Sequence, residues 1–398
     1  KELHFLPVYF SYEKVMEISS YLGELAGRGK NKETLFGLLS TLKLLKKDFG
    51  RVAVSFGEPL NLRSYLDENL PRWRPTPPYD LHRNACINLA NELSHRINDA
   101  AVLNTVNITA FAILCTQKNA IEIGRLEKQI AFLLRISTSQ LKTTLLSQSP
   151  ADVIESAIRI TGLVQSVSTA GTTVQTDPTN QIALQYYYNN VIHLFCLPSL
   201  TALILRHHND IERRTLLEKV NLVLPFVHNE LLISSTPALT NASVEQFLSI
   251  LEAEGLLLCH DSRLTLQAKP DQAYQGLYDL GEAIRPFLIR YYIVCILLDT
   301  SLPEMIDIEQ AAASIYQKVF ETLNRVPVET TSSVPFGQFL KILKHRDWVD
   351  PGGPLPRQDT LALQQALAGL LSPDIITAVT SCLNTLLHKN IESTTSTL

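Results

Sequence analysis

An apolar run, Leu3 to Phe10, begins almost at the first residue. It is short, partly β-branched and aromatic, and closed by Ser11, which is the pattern of a buried strand. A buried strand needs neighbours on its sheet, and the residues before it are too few to supply them. A second strand is expected where Val52, Val54 and Phe56 alternate, with Gly57 and Pro59 ending it. Between the two, a helix is expected from about Glu13 to Leu25, then a loop of Gly27, Gly29 and Asn31, where glycine frees the backbone. A second helix follows, with Leu35, Leu38, Leu39, Leu42 and Leu45 on one face. The order β-α-α-β permits parallel neighbours joined by a helical crossover. Two strands do not make a stable sheet, so the remaining strands are expected upstream of Lys1. The chain reads as an internal-to-C-terminal piece of a larger protein, without a complete catalytic site of its own. No secretory signal pattern precedes the first strand.

The character changes at Pro71 to Pro78, a stretch with four prolines. Beyond it helical stripes dominate: Cys86, Leu89, Leu93 and Ile97; Ile123, Leu126, Ile130, Leu133 and Leu134; Val244, Phe247, Leu248 and Leu251; Ile308, Ala311, Ala312, Ile315 and Val319. The expected organisation is an α/β segment over 1–70, a remnant of a larger domain, followed by a predominantly α-helical C-terminal domain over 71–398. Val164 to Val174 is β-branched around Gly171 and reads as a small hairpin. A helix, Gly255, Leu256–Leu258, a turn at His260–Ser262 and Leu264–Leu266 resemble the end of a winged helix, placing such a module at about 209–268. No fixed-period repeat is evident, and the Ser/Thr-rich tail from Ile391 is expected to fray. Pro178 to Leu205 is long enough to span a bilayer, but Gln181, Asn189, Asn190, His193 and Pro198 make its middle too polar. A core helix is the plainer reading, with Leu194 to Leu205 touching a membrane surface as the alternative.

The chain has 398 residues and a net charge of -4, which argues against a general nucleic-acid binder: the basic face is missing. A winged helix here is therefore expected to be structural. The cysteines, Cys86, Cys115, Cys196, Cys259, Cys295 and Cys382, are scattered and form no C-x-x-C pair, so reduced and mostly buried thiols are expected, with no zinc site. No cofactor motif is present: no Walker loop, no G-x-G-x-x-G, no H-E-x-x-H, and no G-x-S-x-G nucleophile elbow. His345-Arg-Asp-Trp-Val-Asp350 begins like a kinase catalytic loop, but Gly352 stands where the metal-binding Asn belongs. Its His/Asp spacing is no better: with 10 histidines and aspartate at roughly one residue in twenty, one chance match is ordinary.

Two polar features stand out. Arg28, Lys30, Lys32, Lys43, Lys46, Lys47 and Arg51 face only Glu33 and Asp48, so this segment is basic in an acidic chain. It reads either as a solvated face or as a site for a phosphate ester or an anionic membrane surface. Tyr186-Tyr187-Tyr188-Asn189-Asn190, with His193 beyond, lies in apolar surroundings. Buried Asn and His need partners, so this stretch forms a core hydrogen-bond network or lines a polar site.

Several ordered segments resemble one family. Phe5-Leu-Pro7-Val-Tyr-Phe-Ser11-Tyr-Glu13 is similar to the fourth conserved block of the bacterial, inner-membrane glycerol-3-phosphate 1-O-acyltransferases. Leu25-Ala-Gly-Arg-Gly-Lys30-Asn-Lys32-Glu-Thr-Leu35 and Gly50-Arg-Val-Ala-Val-Ser-Phe-Gly-Glu-Pro59 continue the likeness. So do Asn104-Thr-Val-Asn107 and Tyr187-Tyr-x-Asn-Asn190-x-x-His193. The resemblance implies transfer of a fatty acyl group from acyl-CoA or acyl carrier protein to the sn-1 hydroxyl of glycerol 3-phosphate, for phospholipid synthesis. It places this at the cytoplasmic face of the bacterial inner membrane, with no nucleic acid involved. The family's His-x4-Asp base pair and its Arg- and Glu-bearing blocks precede the Pro7 block and are not in this chain. His345 and Asp350 lie far downstream and do not inherit that role, so the chain alone is expected to be inactive. The resemblance carries over only to Leu6, Pro7 and Val8, on the strand that shapes the acceptor site. It also gives weight to Lys30 and Lys32 as substrate-binding residues that contact phosphate.

Overall fold

The computed structural model describes residues 2–15, 48–70, 73, 79–116, 120–137, 142–145, 147–168, 171–176, 178–267, 272–300, 306–323, 333–349 and 357–395. The helices expected between Glu13 and Leu45, the glycine loop and most of the basic segment lie outside these residues. The described residues form two compact units. The first runs to His193, apart from a short stretch at Cys115, and includes Leu232–Ser234; the second takes the rest.

The first unit opens with β1 (His4–Phe5), β2 (Val8–Tyr12), β3 (Val52–Phe56) and β4 (Leu60–Asn61), followed by the helices α1 (Leu62–Asn69) and α2 (Tyr79–Asp99). The run Leu3 to Phe10 is thus not one strand. It breaks at Leu6 and Pro7, because proline cannot donate to a ladder. It is not uniformly buried either: Leu3, Leu6 and Phe10 are exposed. β2 and β3 pair antiparallel, with Val8 opposite Phe56 and Tyr12 opposite Val52, so the expected parallel arrangement is corrected. Alternation marks a strand but carries no direction.

The unit continues with β5 (Val102–Leu103), α3 (Thr105–Cys115), β6 (Ala120–Glu122), α4 (Ile123–Ile136), β7 (Lys142–Thr143), α5 (Pro150–Thr161), β8 (Val164–Ser168), β9 (Gly171–Gln175) and α6 (Pro178–Asn189). Leu126, Ile130 and Leu133 are fully buried, as their helical spacing requires. Helix α5 starts on a capping box between Ser149 and Asp152 and stops at Gly162, which sits at φ 77°. The expected hairpin is present as β8 and β9.

Helix α7 (Ile192–His207) is followed in the second unit by β10 (Asp210–Glu212), α8 (Arg213–Glu230), α9 (Pro237–Ala253), β11 (Leu257–His260) and β12 (Arg263–Leu266). Beyond them come α10 (Gln272–Glu282), α11 (Arg285–Asp299), α12 (Ile308–Thr322), α13 (Val334–His345), α14 (Gln358–Ala368) and α15 (Pro373–Thr395). The tail expected to fray from Ile391 is helical to Thr395. The core is built on α11, buried on all sides; Tyr291 stacks on Phe339 at 4.4 Å, and Phe226 packs edge-on against Phe339 at 5.2 Å. Arg206, Glu282 and Arg285 lie in this interior as a buried ionic group, with Arg206 to Glu282 at 2.8 Å and Arg285 to Glu282 at 2.7 Å. No single helix among the described residues is long and apolar enough to cross a membrane, and the pair Asn180–Asn189 and Ile192–His207 is bent by 91°.

One module occurs twice. Apart from the short β7 between α4 and α5, which pairs with β5, β6-α4-α5-β8-β9 and β10-α8-α9-β11-β12 follow one order, and in each three-stranded sheet the last strand lies between the other two. The registers also agree: Ile121 faces Val174 as Ile211 faces Leu264. Leu126, Ile130 and Leu133 correspond to Leu216, Val220 and Val223, all six fully buried. Each second helix gives way to a left-handed glycine, Gly162 and Gly255. An apolar helix precedes each copy, α3 and α7. The repetition escapes a sequence reading because it is one of buried positions, not of residue identities.

Candidate functional site

Strand β2 carries its polar residues inward. Ser11 is buried; its hydroxyl donates to the Val102 carbonyl at 2.8 Å and accepts from the Asn104 amide at 2.9 Å. That amide also donates to the Tyr12 carbonyl at 3.2 Å, while the Asn104 oxygen receives the Asn107 N–H at 2.9 Å. Two residues on, the buried Glu13 carboxylate accepts the Thr105 hydroxyl at 2.7 Å and the Arg51 N–H at 2.7 Å. Tyr9 donates to the Asn190 carbonyl at 3.3 Å, and the Val15 N–H donates to the Tyr187 hydroxyl at 3.2 Å. The segments Tyr9–Glu13, Asn104–Asn107 and Tyr187–Asn190, far apart in sequence, therefore form one polar network. The buried Ser11 hydroxyl and Glu13 carboxylate both take partners from distant segments, as burial demands. Of the two readings of the Tyr/Asn stretch, these bonds fit the core network. Burial and the neighbouring Tyr186 push the Tyr9 phenol up to about 12, and burial pulls His193 down to about 4 against a hydrogen bond at Asn98.

A cleft of about 420 Å³ opens over Glu13, lined also by Asp48, Gly50, Arg51, Thr105, Ser147, Gln148, Asp152, Ser156 and Arg159. Gly50 has φ 67°, and a Cβ there would lie 2.4 Å from the Glu13 carboxylate, so only glycine lets the chain pass this close. Asp48 accepts the Gly50 N–H at 2.9 Å and pairs with Arg159. The first turn of α5 contributes Asp152, whose carboxyl is held below its ordinary range by bonds from Ser149. The lining is ionic and hydrogen-bonding throughout, suited to orienting a polar ligand. Among the described residues, no group of three or more His, Cys, Asp and Glu is placed to hold a metal.

Of the residues singled out from sequence, Pro7 is buried and its carbonyl accepts the Gly57 N–H at 2.9 Å. Gly57 is wedged there: a Cβ would meet the Arg96 carbonyl at 2.7 Å and the Pro7 Cβ at 3.2 Å. Gly57→Ala is expected to cost roughly 1–3 kcal/mol through this overlap, seen as a lower urea midpoint; an unchanged midpoint would mean the two segments are not in close contact. Lys30 and Lys32 lie outside the described residues, as do Arg28, Lys43, Lys46 and Lys47. His345 is the exposed last residue of α13, and Asp350 is outside the described residues. Sequence reasoning included Arg51 only as part of the basic segment and passed over Glu13 and Arg159 as site residues. The available signal was the alternation Tyr9, Ser11, Glu13, a polar face inside an apolar run.

A family model described as the glycerol-3-phosphate acyltransferase C-terminal region matches residues 21–352. Curated relatives named glycerol-3-phosphate acyltransferase include that of Ectopseudomonas mendocina (strain ymp), 32% identical over 74% of this chain and 36% of its own length. That of Shewanella amazonensis (strain ATCC BAA-1098 / SB2B) is 34% identical over 74% of this chain and 37% of its own. That of Pseudomonas aeruginosa (strain UCBPP-PA14) is 32% identical over 74% and 36%. The chain spans a little over a third of the length of the curated relatives it matches.

Proposed function

The chain belongs to the glycerol-3-phosphate acyltransferase C-terminal region family, and from that premise we propose that it is part of an enzyme moving a fatty acyl group onto the sn-1 hydroxyl of glycerol 3-phosphate. The donor is acyl-CoA or acyl carrier protein: the hydroxyl oxygen attacks the thioester carbonyl, a C–O bond forms, the C–S bond breaks, and a general base takes the hydroxyl proton. The observation that carries this reading is the family match over most of the chain. The network joining Tyr9–Glu13 to Asn104–Asn107 and Tyr187–Asn190 supports it, because the residues that resemble the family are the ones that bind each other. In this reading residues 1–70 are the remnant of the acyltransferase α/β domain, and they present Pro7, Lys30 and Lys32 to the phosphorylated substrate. The basic segment from Arg28 to Arg51 supports a place at an anionic membrane surface, the cytoplasmic face of the bacterial inner membrane.

This chain's part is positioning; the base comes from elsewhere in the enzyme. The purified 398-residue chain is expected to give no acylated product from labelled glycerol 3-phosphate with either donor. Product formation by the chain alone would refute that division of labour, as would loss of the intact enzyme's activity on His345→Ala without unfolding.

A further inference from the structure

The antiparallel pair of β2 and β3 is amphipathic in the unusual sense. Its inward side carries Ser11, Ser55 and, just beyond, Glu13, all buried, and Lys142 donates to the Ser55 hydroxyl at 3.0 Å. Its outward side carries Phe10, Tyr12, Val52, Val54 and Phe56, between 43% and 60% exposed. Phe10 and Tyr12 stack there at 6.2 Å. A contiguous apolar face of this kind marks an interface. Among the described residues, β2 and β3 pair only with each other.

We infer that this face is covered by the part of the acyltransferase that precedes the C-terminal region, packed face-on against Phe10, Tyr12, Val52, Val54 and Phe56. This rests on the functional reading above and specifies where the two parts meet. Two observations choose that occupant. The matched family is by description a C-terminal region, and the match to this chain covers only 36% to 37% of the relatives, so those proteins hold a large preceding portion. The face belongs to β2 and β3, within the residues that the reading above assigns to the acyltransferase α/β domain.

The test is co-expression of the tagged full chain with the portion of the Shewanella amazonensis relative that precedes its matched region, followed by capture and mass measurement. A one-to-one complex is expected, weakened at least tenfold by Phe10→Asp with Val54→Lys. Leu239→Asp, at an exposed leucine elsewhere, is expected to leave it intact. The Phe10/Val54 variant is expected to keep the urea midpoint of the parent chain, since both side chains face outward. The inference is overturned by absence of a complex, by a complex indifferent to Phe10 and Val54, or by a dimer of the chain alone that the double substitution dissolves. A complex that forms through this face yet transfers no acyl group would refute the proposed activity and leave the interface standing.

Discussion

Glu13→Ala is expected to destabilise the first compact unit by about 3 kcal/mol, since hydrogen bonds to a charged acceptor contribute roughly 1.5–3 kcal/mol each and two are lost. Glu13 is buried and receives the Thr105 hydroxyl and the Arg51 N–H. Removing it leaves the Arg51 N–H short of an acceptor and opens space beside Gly50, where the glycine backbone is in contact with the carboxylate. Relief of the carboxylate's desolvation offsets part of the loss, which keeps the figure below the sum of the two bonds. Glu13→Gln retains one acceptor oxygen and nearly the same volume, so roughly half the loss is expected. Hydrogen exchange at the Arg51 amide separates this from a general effect. The alanine variant should exchange faster there, with the amides of α11 unchanged. Unaltered Arg51 exchange would show that the network does not hold β2 to β3.

The same region shows what a sequence conceals. Helical stripes such as Leu126, Ile130 and Leu133 are legible because a period of 3.6 admits one burial solution. The strand at Val52–Phe56 is legible for the same reason at period two, but its direction is not, because alternation is identical in parallel and antiparallel pairs. Which side faces inward is also misjudged. The expected buried run took in Phe10, whereas the structure turns Phe10 and Tyr12 out so that Ser11 and Glu13 can meet Asn104, Thr105 and Arg51. A buried polar network overrides the apolar pattern, and its partners lie 38 to 93 residues away along the chain. The cleft shares that property: Glu13, Arg51 and Arg159 have no common motif, and only the folded chain brings them to one opening. The doubled helix-and-strand module is hidden differently. Ile130 and Val220, or Leu133 and Val223, do one job with different residues, so equivalence exists in burial and register and not in letters.

Acidification is expected to destabilise the chain between about pH 6.5 and pH 4, and two histidines set that window. Burial depresses both His193 and His228 from the ordinary 6.5 to about 4. Above pH 6.5 each is neutral in the folded and unfolded chain and contributes no pH dependence. Below it the unfolded chain takes up a proton that the folded chain refuses, so stability falls with falling pH, and the slope from these groups ends once pH passes the folded pKa. A full shift of this size corresponds to about 3 kcal/mol per histidine, and at pH 5 each contributes on the order of 2 kcal/mol of the loss. His207, depressed by its own burial and by the Arg206 and Arg285 guanidinium groups, acts in the same direction. Asp99 acts oppositely: burial raises its carboxyl, so the folded chain accepts that proton more readily as pH drops. The expected outcome is a urea midpoint that is level from pH 8 to 7 and falls steeply from 6.5 to 4. The double variant His193→Gln with His228→Gln should flatten most of that fall while lowering the midpoint at pH 7 only modestly. If the double variant keeps the full slope, carboxylates and not these imidazoles govern the acid limb, and the two histidines are not desolvated in the folded chain.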